Sequence, residues 1–165
     1  MKWILRLGLL AIAIVVGMWL WTALFPSPEK IICRHLSEMA REASFNSSES
    51  PVAGFSQAQK LASLFSTNAE LTLDLPERPQ YALAGRNDIV QAVLGAHAVV
   101  GGVKVEFLDV MVTVSPDKCS AAADLTLKAQ VTGDKDITVL ELKFALLKIE
   151  GEWLVTKVES VRPLT

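Results

Sequence analysis

The chain predicts an α+β domain behind one N-terminal membrane helix, and three observations carry that expectation. Apolar residues in the first half recur at helical spacing, as at Ile32, Leu36, Met39 and Ala43. From Val103 onward, four β-rich stretches follow one another with only short turns between them. Before both, Leu7 to Phe25 contains no charged side chain over nineteen residues. Helices first and a sheet afterwards is the order of an α+β domain, here helices packed on a curved antiparallel sheet.

The uncharged run is long enough to cross a bilayer core, which takes about 20 apolar residues as a helix. Lys2 and Arg6 precede it and no carboxylate appears before Glu29, so the positive-inside rule puts the N-terminus in the cytoplasm. Trp19, Trp21 and Phe25 occupy its far end, where a cleavage site would need small residues and where an interfacial aromatic belt suits a retained anchor. The alternative is a cleaved leader and a secreted product. The division expected is a tail at 1–6, an anchor at 7–25 and one extracytoplasmic domain at 26–165, in the cell inner membrane.

Pro26 and Pro28 end the anchor, and a helix is expected from Ser27 to Ala43. Residues 44–54 read as a polar loop and Ser56–Phe65 as a second helix. Ala69–Leu75 alternates, with Leu71, Leu73 and Leu75 on one face and Glu70, Thr72 and Asp74 on the other, as in a half-buried strand. Tyr81–Ala84 forms a short return, and Asn87 and Asp88 suit the first turn of a helix from about Arg86 to Val100. Ile89, Val93, Ala96 and Val100 are its buried stripe, and Gly101-Gly102 stops it. Residues 103–114, 121–131, 136–149 and 152–162 then form an antiparallel meander. In the first of these strands the apolar parity switches between Phe107 and Leu108, which marks a bulge or strong bend.

With Lys2 and Arg6 set aside, 14 basic residues face 18 acidic ones, a net charge of −4. No basic stripe is present, so nucleic acid is not expected as a partner. Cys33 and Cys119 both fall on the outer side. In an oxidising compartment a bond between them would stabilise by about 4–5 kcal/mol in the chain-entropy model; the other reading is two separate buried thiols. Two Cys and two His without shared spacing imply no metal site. No phosphate loop, nucleophile elbow or dinucleotide fingerprint occurs, and no cofactor is expected.

Three segments carry a resemblance to a known family. Leu61-Ala62-Ser63-Leu64-Phe65 runs into Ala69-Glu70-Leu71-Thr72-Leu73, Ala84-Gly85-Arg86-Asn87-Asp88-Ile89 opens a helix, and Phe144 to Val155 forms a last hairpin through Gly151-Glu152-Trp153. In order and spacing they resemble the nuclear transport factor 2-like superfamily, with its SnoaL-like and ketosteroid isomerase branches, across residues 28–162. The resemblance implies a cystatin-like cone of helices against a curved sheet, open at one end, a fold that hosts enzymes, binders and scaffolds alike.

For the isomerase branch it implies a carboxylate near the end of the first strand, and Asp74 is the nearest match. Alternation nevertheless puts Asp74 on the polar face. The branch's first-helix tyrosine is missing, since Tyr81 is the only tyrosine. Asp109, at the expected bend, is the candidate for a second, protonated acid; the other reading is an aspartate facing water. His97 falls beside Val93 and Val100 on a stripe that in this superfamily lines the cavity, where an imidazole serves as base or ligand contact. A helix-end histidine bonded to a backbone carbonyl is the plainer alternative. His97, Val93, Leu73 and Tyr81 are thus the expected ligand contacts. The expected function is a binding or scaffold module, non-catalytic and dimeric, holding a partner protein or small apolar ligand. The alternative is a cavity isomerase, dehydratase or hydrolase.

Overall fold

The computed structural model describes residues 26–46, 50–74 and 80–161, together with Ile14 and Gly17. The rest of the expected membrane segment lies outside the described residues. Among those described, no helix is long and apolar enough to cross a membrane.

Helix α1 covers Pro28–Ala43, with its first-turn proline where a missing N–H costs nothing. It buries Ile32, Leu36 and Met39 of the expected stripe, with Ala40 added and Ala43 only half-buried. Ser44 ties its far end to the sheet: its Oγ donates to the Ala40 carbonyl at 2.8 Å and accepts from the Val105 N–H at 2.9 Å. A two-residue strand, β1 (Phe45–Asn46), follows within the stretch expected to be loop. Helix α2 is Pro51–Ser63, starting five residues earlier than expected. The cause is local: Ser50 Oγ accepts from the Ala53 N–H at 3.3 Å, and Pro51 fits the first helical position. The helix then ends sooner, and Phe65 belongs to strand β2 (Phe65–Leu73) instead of helix.

Strand β3 (Tyr81–Ala84) returns antiparallel to β2, and helix α3 is Gly85–Val99. The meander is β4 (Gly102–Val114), β5 (Ser120–Val131), β6 (Ile137–Ile149) and β7 (Glu152–Ser160). One seven-stranded sheet results, in the order β1-β4-β5-β6-β7-β2-β3. It is not wholly antiparallel, because β2 joins β7 in parallel. Its curvature has identifiable sources. Register shifts fall between Leu108 and Met111, between Ala145 and Leu146, and between Phe65 and Glu70, and each extra residue bends its strand. The first is the expected bend, with Asp109 at φ 52°, a conformation aspartate tolerates better than most residues.

The core fills the concave side. Ile32 and Leu36 of α1, Leu61 of α2 and Ile89 of α3 meet Leu125, Phe144, Leu146, Trp153 and Val155 of the sheet. The convex side stays open, exposing Leu108, Met111, Val139 and Leu147 among charges. There Lys104, which donates to it, and Lys128 hold the Glu106 carboxyl below its usual value, while the Glu159 carboxylate, and then Glu70, raise Lys157. Such exposed pairs contribute little individually.

Arg86 locks α3 in place. Its Nε donates to the Phe65 carbonyl at 2.7 Å and its Nη2 to the Ser63 carbonyl at 3.4 Å, across the junction of α2 and β2. Arg86→Ala is expected to cost about 1.5–3 kcal/mol in urea denaturation, the range for hydrogen bonds to a charged group. Lysine will restore only part, because it lacks the planar fork.

Candidate functional site

The residues expected to meet at one site divide between two places. Leu73 and Tyr81 are cross-strand partners at the end of β2 and β3. Tyr81, half-exposed, forms one wall of a cleft whose other wall is the outward side of α3. Leu83 lies beside Tyr81, and Gln91, Ala92, Gly95, Ala96, Val99 and Val100 lie opposite, around a depression of about 580 Å³ that opens widely to solvent. That volume is in the range of small-molecule sites. Asp88 also borders the cleft, but its Oδ2 is taken up by the Ala84 N–H at 3.1 Å, which fastens β3 to the start of α3. Val93 points to the other side of α3, half-buried against the core with Leu73, Phe107, Leu127 and Leu140. The cone interior is therefore filled by aliphatic and aromatic side chains, with the Phe107 ring edge-on to Phe144 at 5.8 Å.

His97 does not line this interior, which corrects the expectation for it. Its ring stacks on Phe45 at a centroid distance of 3.7 Å and an interplanar angle of 16°. Gly54 of α2 lies against its edge, so close that a Cβ there would come within 3.1 Å of Nδ1. The sequence places His97 on the inner side of α3 correctly. What sits opposite it is α2 and the edge strand β1, not the central strands of the sheet. Its Nε2 and the Gln57 Oε1 are buried without a partner, while Gln57 Nε2 donates to the Ser44 carbonyl at 2.7 Å. The backbone carbonyl bond considered for a helix-end histidine is not made. His35 makes that kind of contact, with Nε2 3.2 Å from the Leu64 carbonyl.

The carboxylates do not converge. Asp109 is exposed at the bulge, as the plainer reading had it. Asp74 is half-buried at the end of β2, where its backbone N–H donates to Ser160 Oγ at 2.8 Å. Glu141 and Lys143 are exposed on the convex face. Among the described residues Ser66 is the one buried polar side chain, and no three potential metal ligands group together. Cys33 is half-buried on α1 and Cys119 is exposed in the turn before β5, each a free thiol in the structure.

Of the expected buried stripe of α3, Ile89 is buried and Val93 half-buried, whereas Ala96 and Val100 line the cleft on the outward side, which the sequence did not single out. Ala92, Gly95, Ala96 and Val99 repeat at i, i+3, i+4 and i+7, a stripe of small apolar residues that gave the signal. It was obscured because Ile89 and Val93 mark a stronger stripe on the same helix.

No family model and no curated protein matches the chain. Solved structures do. A nuclear transport factor 2-like protein with a cystatin-like fold from Novosphingobium aromaticivorans superposes with a TM-score of 0.57 at 16% identity, over 77% of this chain and 79% of that one. A candidate scytalone dehydratase from the same organism gives 0.59 at 14% identity, over 82% and 84%. The yeast UBP3-associated protein BRE5 gives 0.61 at 16% identity, over 84% of this chain and 100% of its own. Identities this low establish a shared fold and nothing more. The described domain has the cystatin-like cone fold expected from the resemblance.

Proposed function

We propose that the chain is a membrane-tethered, extracytoplasmic binding module that holds a small apolar ligand or an apolar segment of a partner in the cleft between β3 and α3. The observation that carries the reading is the chemistry of that cleft. Its walls are Leu83, Ala92, Ala96, Val99 and Val100, with the Tyr81 phenol and the Gln91 amide as polar handles. A few polar groups on an apolar wall orient a ligand without reacting with it. The tether rests on the uncharged run at 7–25 and the cations before it. Pairing of two copies through the convex sheet face belongs to the same reading. General acid–base catalysis would need a positioned base and acid, and of the residues considered for those roles His97 stacks on Phe45, Asp109 is exposed and Asp74 lies apart at the end of β2.

Gly95 supplies the test. A Cβ at Gly95 meets nothing within 4 Å, so the helix accepts a side chain there. Gly95→Ala is expected to stabilise by about 0.5–1 kcal/mol by removing glycine from a helix interior. Gly95→Phe should keep that stability and fill the cleft. The full chain in lipid nanodiscs is titrated with anilinonaphthalene sulfonate, a fluorescent apolar anion. Binding lost in Gly95→Phe and retained in Gly95→Ala supports the reading; equal binding in both variants refutes it. Flotation with liposomes after carbonate washing tests the tether separately.

A further inference from the structure

We propose that the domain stands on the bilayer by the start of α1, with its cleft at the opposite end, so that the cleft takes its occupant from the aqueous phase and not from the lipid. This rests on the tethered-module reading and fixes the source of what that module binds.

Three observations place the start of α1 beside two turns. Glu29, in its first turn, has its carboxyl held below the usual value by its own backbone N–H, by the Ser27 hydroxyl and by the charge of Lys118. Ile31 lines one depression with Lys148, Gly151 and Trp153. The Lys148 N–H donates to the Cys119 carbonyl at 2.8 Å, joining the turn before β5 to the turn before β7. The start of α1 and both turns therefore make up one end of the domain.

The cleft is built from the other end. Strand β2 runs parallel to β7, with Phe65 beside Val155 and Thr72 beside Glu159. Leu73 and its partner Tyr81 thus lie at the Ser160 end, away from the 150–151 turn. Nine residues of β7 separate the two ends, about 26 Å of strand rise. On α3, Val99 and Val100 lead into Gly102, whose carbonyl accepts from the Thr132 N–H at 2.9 Å next to the β5–β6 turn, again the far end.

The tether sets which end meets the lipid. Only Pro26 and Ser27 separate the uncharged run from α1, a reach of about 7 Å. So short a link cannot let the domain invert. The near end also suits an interface, because Ile31 and Ile149 are exposed there together with Lys118 and Lys148, a residue type that can lay its stem on apolar surface while the ammonium group stays wet. Glu29, Asp117, Glu150 and Glu152 outnumber these two lysines, so contact does not depend on anionic lipid.

The test uses the full chain in liposomes with a nitroxide on the lipid headgroup. One fluorophore is placed on Cys119 in a Cys33→Ser chain. Another is placed at the cleft rim in a Cys33→Ser, Cys119→Ser, Val99→Cys chain; Val99 is 86% exposed, so the substitution is mild. Flotation is checked first, since a chain that does not float overturns the tethered reading and this proposal with it. In floating chains, quenching at Cys119 should exceed that at position 99 several-fold, and iodide in solution should reverse the order. Equal quenching at both positions means a domain lying on its side, and stronger quenching at 99 means a cleft facing the lipid. Either result overturns the orientation while leaving the tether intact.

Discussion

Phe144→Ala is expected to lower the unfolding free energy by about 3–5 kcal/mol, the range for a fully buried phenylalanine. The ring is 2% exposed on the inner side of β6, between Ala123 of β5 and Val158 of β7, and edge-on to Phe107. It sits in the core where the helices meet the sheet, next to the register shift at Ala145 and Leu146, so neighbours from several elements would have to move to refill its volume. Domains of this size have about 5–15 kcal/mol in total, and the change consumes a large share. Urea unfolding of the full chain in detergent gives the number. A loss below about 1 kcal/mol would mean that the cone collapses easily around the gap.

Gly102→Val should cost about 3 kcal/mol, from two sources of about 1–3 kcal/mol each. Gly102 has φ +149°, a conformation side chains rarely adopt, and a Cβ there would lie 2.7 Å from Thr132 Oγ1 and 3.0 Å from the Phe45 carbonyl oxygen. The backbone oxygen cannot yield without breaking β1 from β4, where Asn46 faces Gly102 and Phe45 faces Val103. Releasing Phe45 also frees His97 from its stack. The variant should therefore shift the His97 ring resonances and speed amide exchange at Phe45 and Val105, effects that a stability loss elsewhere would not concentrate there. Unchanged His97 resonances would show that β1 does not position that ring.

The parts legible in the sequence were those in which one strong apolar stripe decides the packing. Ile32, Leu36 and Met39 define α1, and the alternation through Ala123, Leu125 and Leu127 defines β5 with the register it keeps. Helix α2 was displaced because Gly54, Ala58 and Ala62 make up most of what it buries, and small residues leave a faint periodic signal. The parallel join of β2 to β7 was invisible because its partner lies more than eighty residues away, with no local turn to announce it. The site shows the same division. The Leu73–Tyr81 pairing followed from a short strand and its return. The surroundings of His97 depend on Phe45 and Gly54, two residues in different elements whose approach no spacing along the chain encodes.

The sheet ends in β1, two residues long, and in β3, four residues long. Beyond Val103 no strand among the described residues covers the outer border of β4, but the bulge at Asp109 kinks that border, and a kinked edge is a poor template for a second chain. Resistance to fibril growth in this sheet therefore rests on a bent border more than on a covered one.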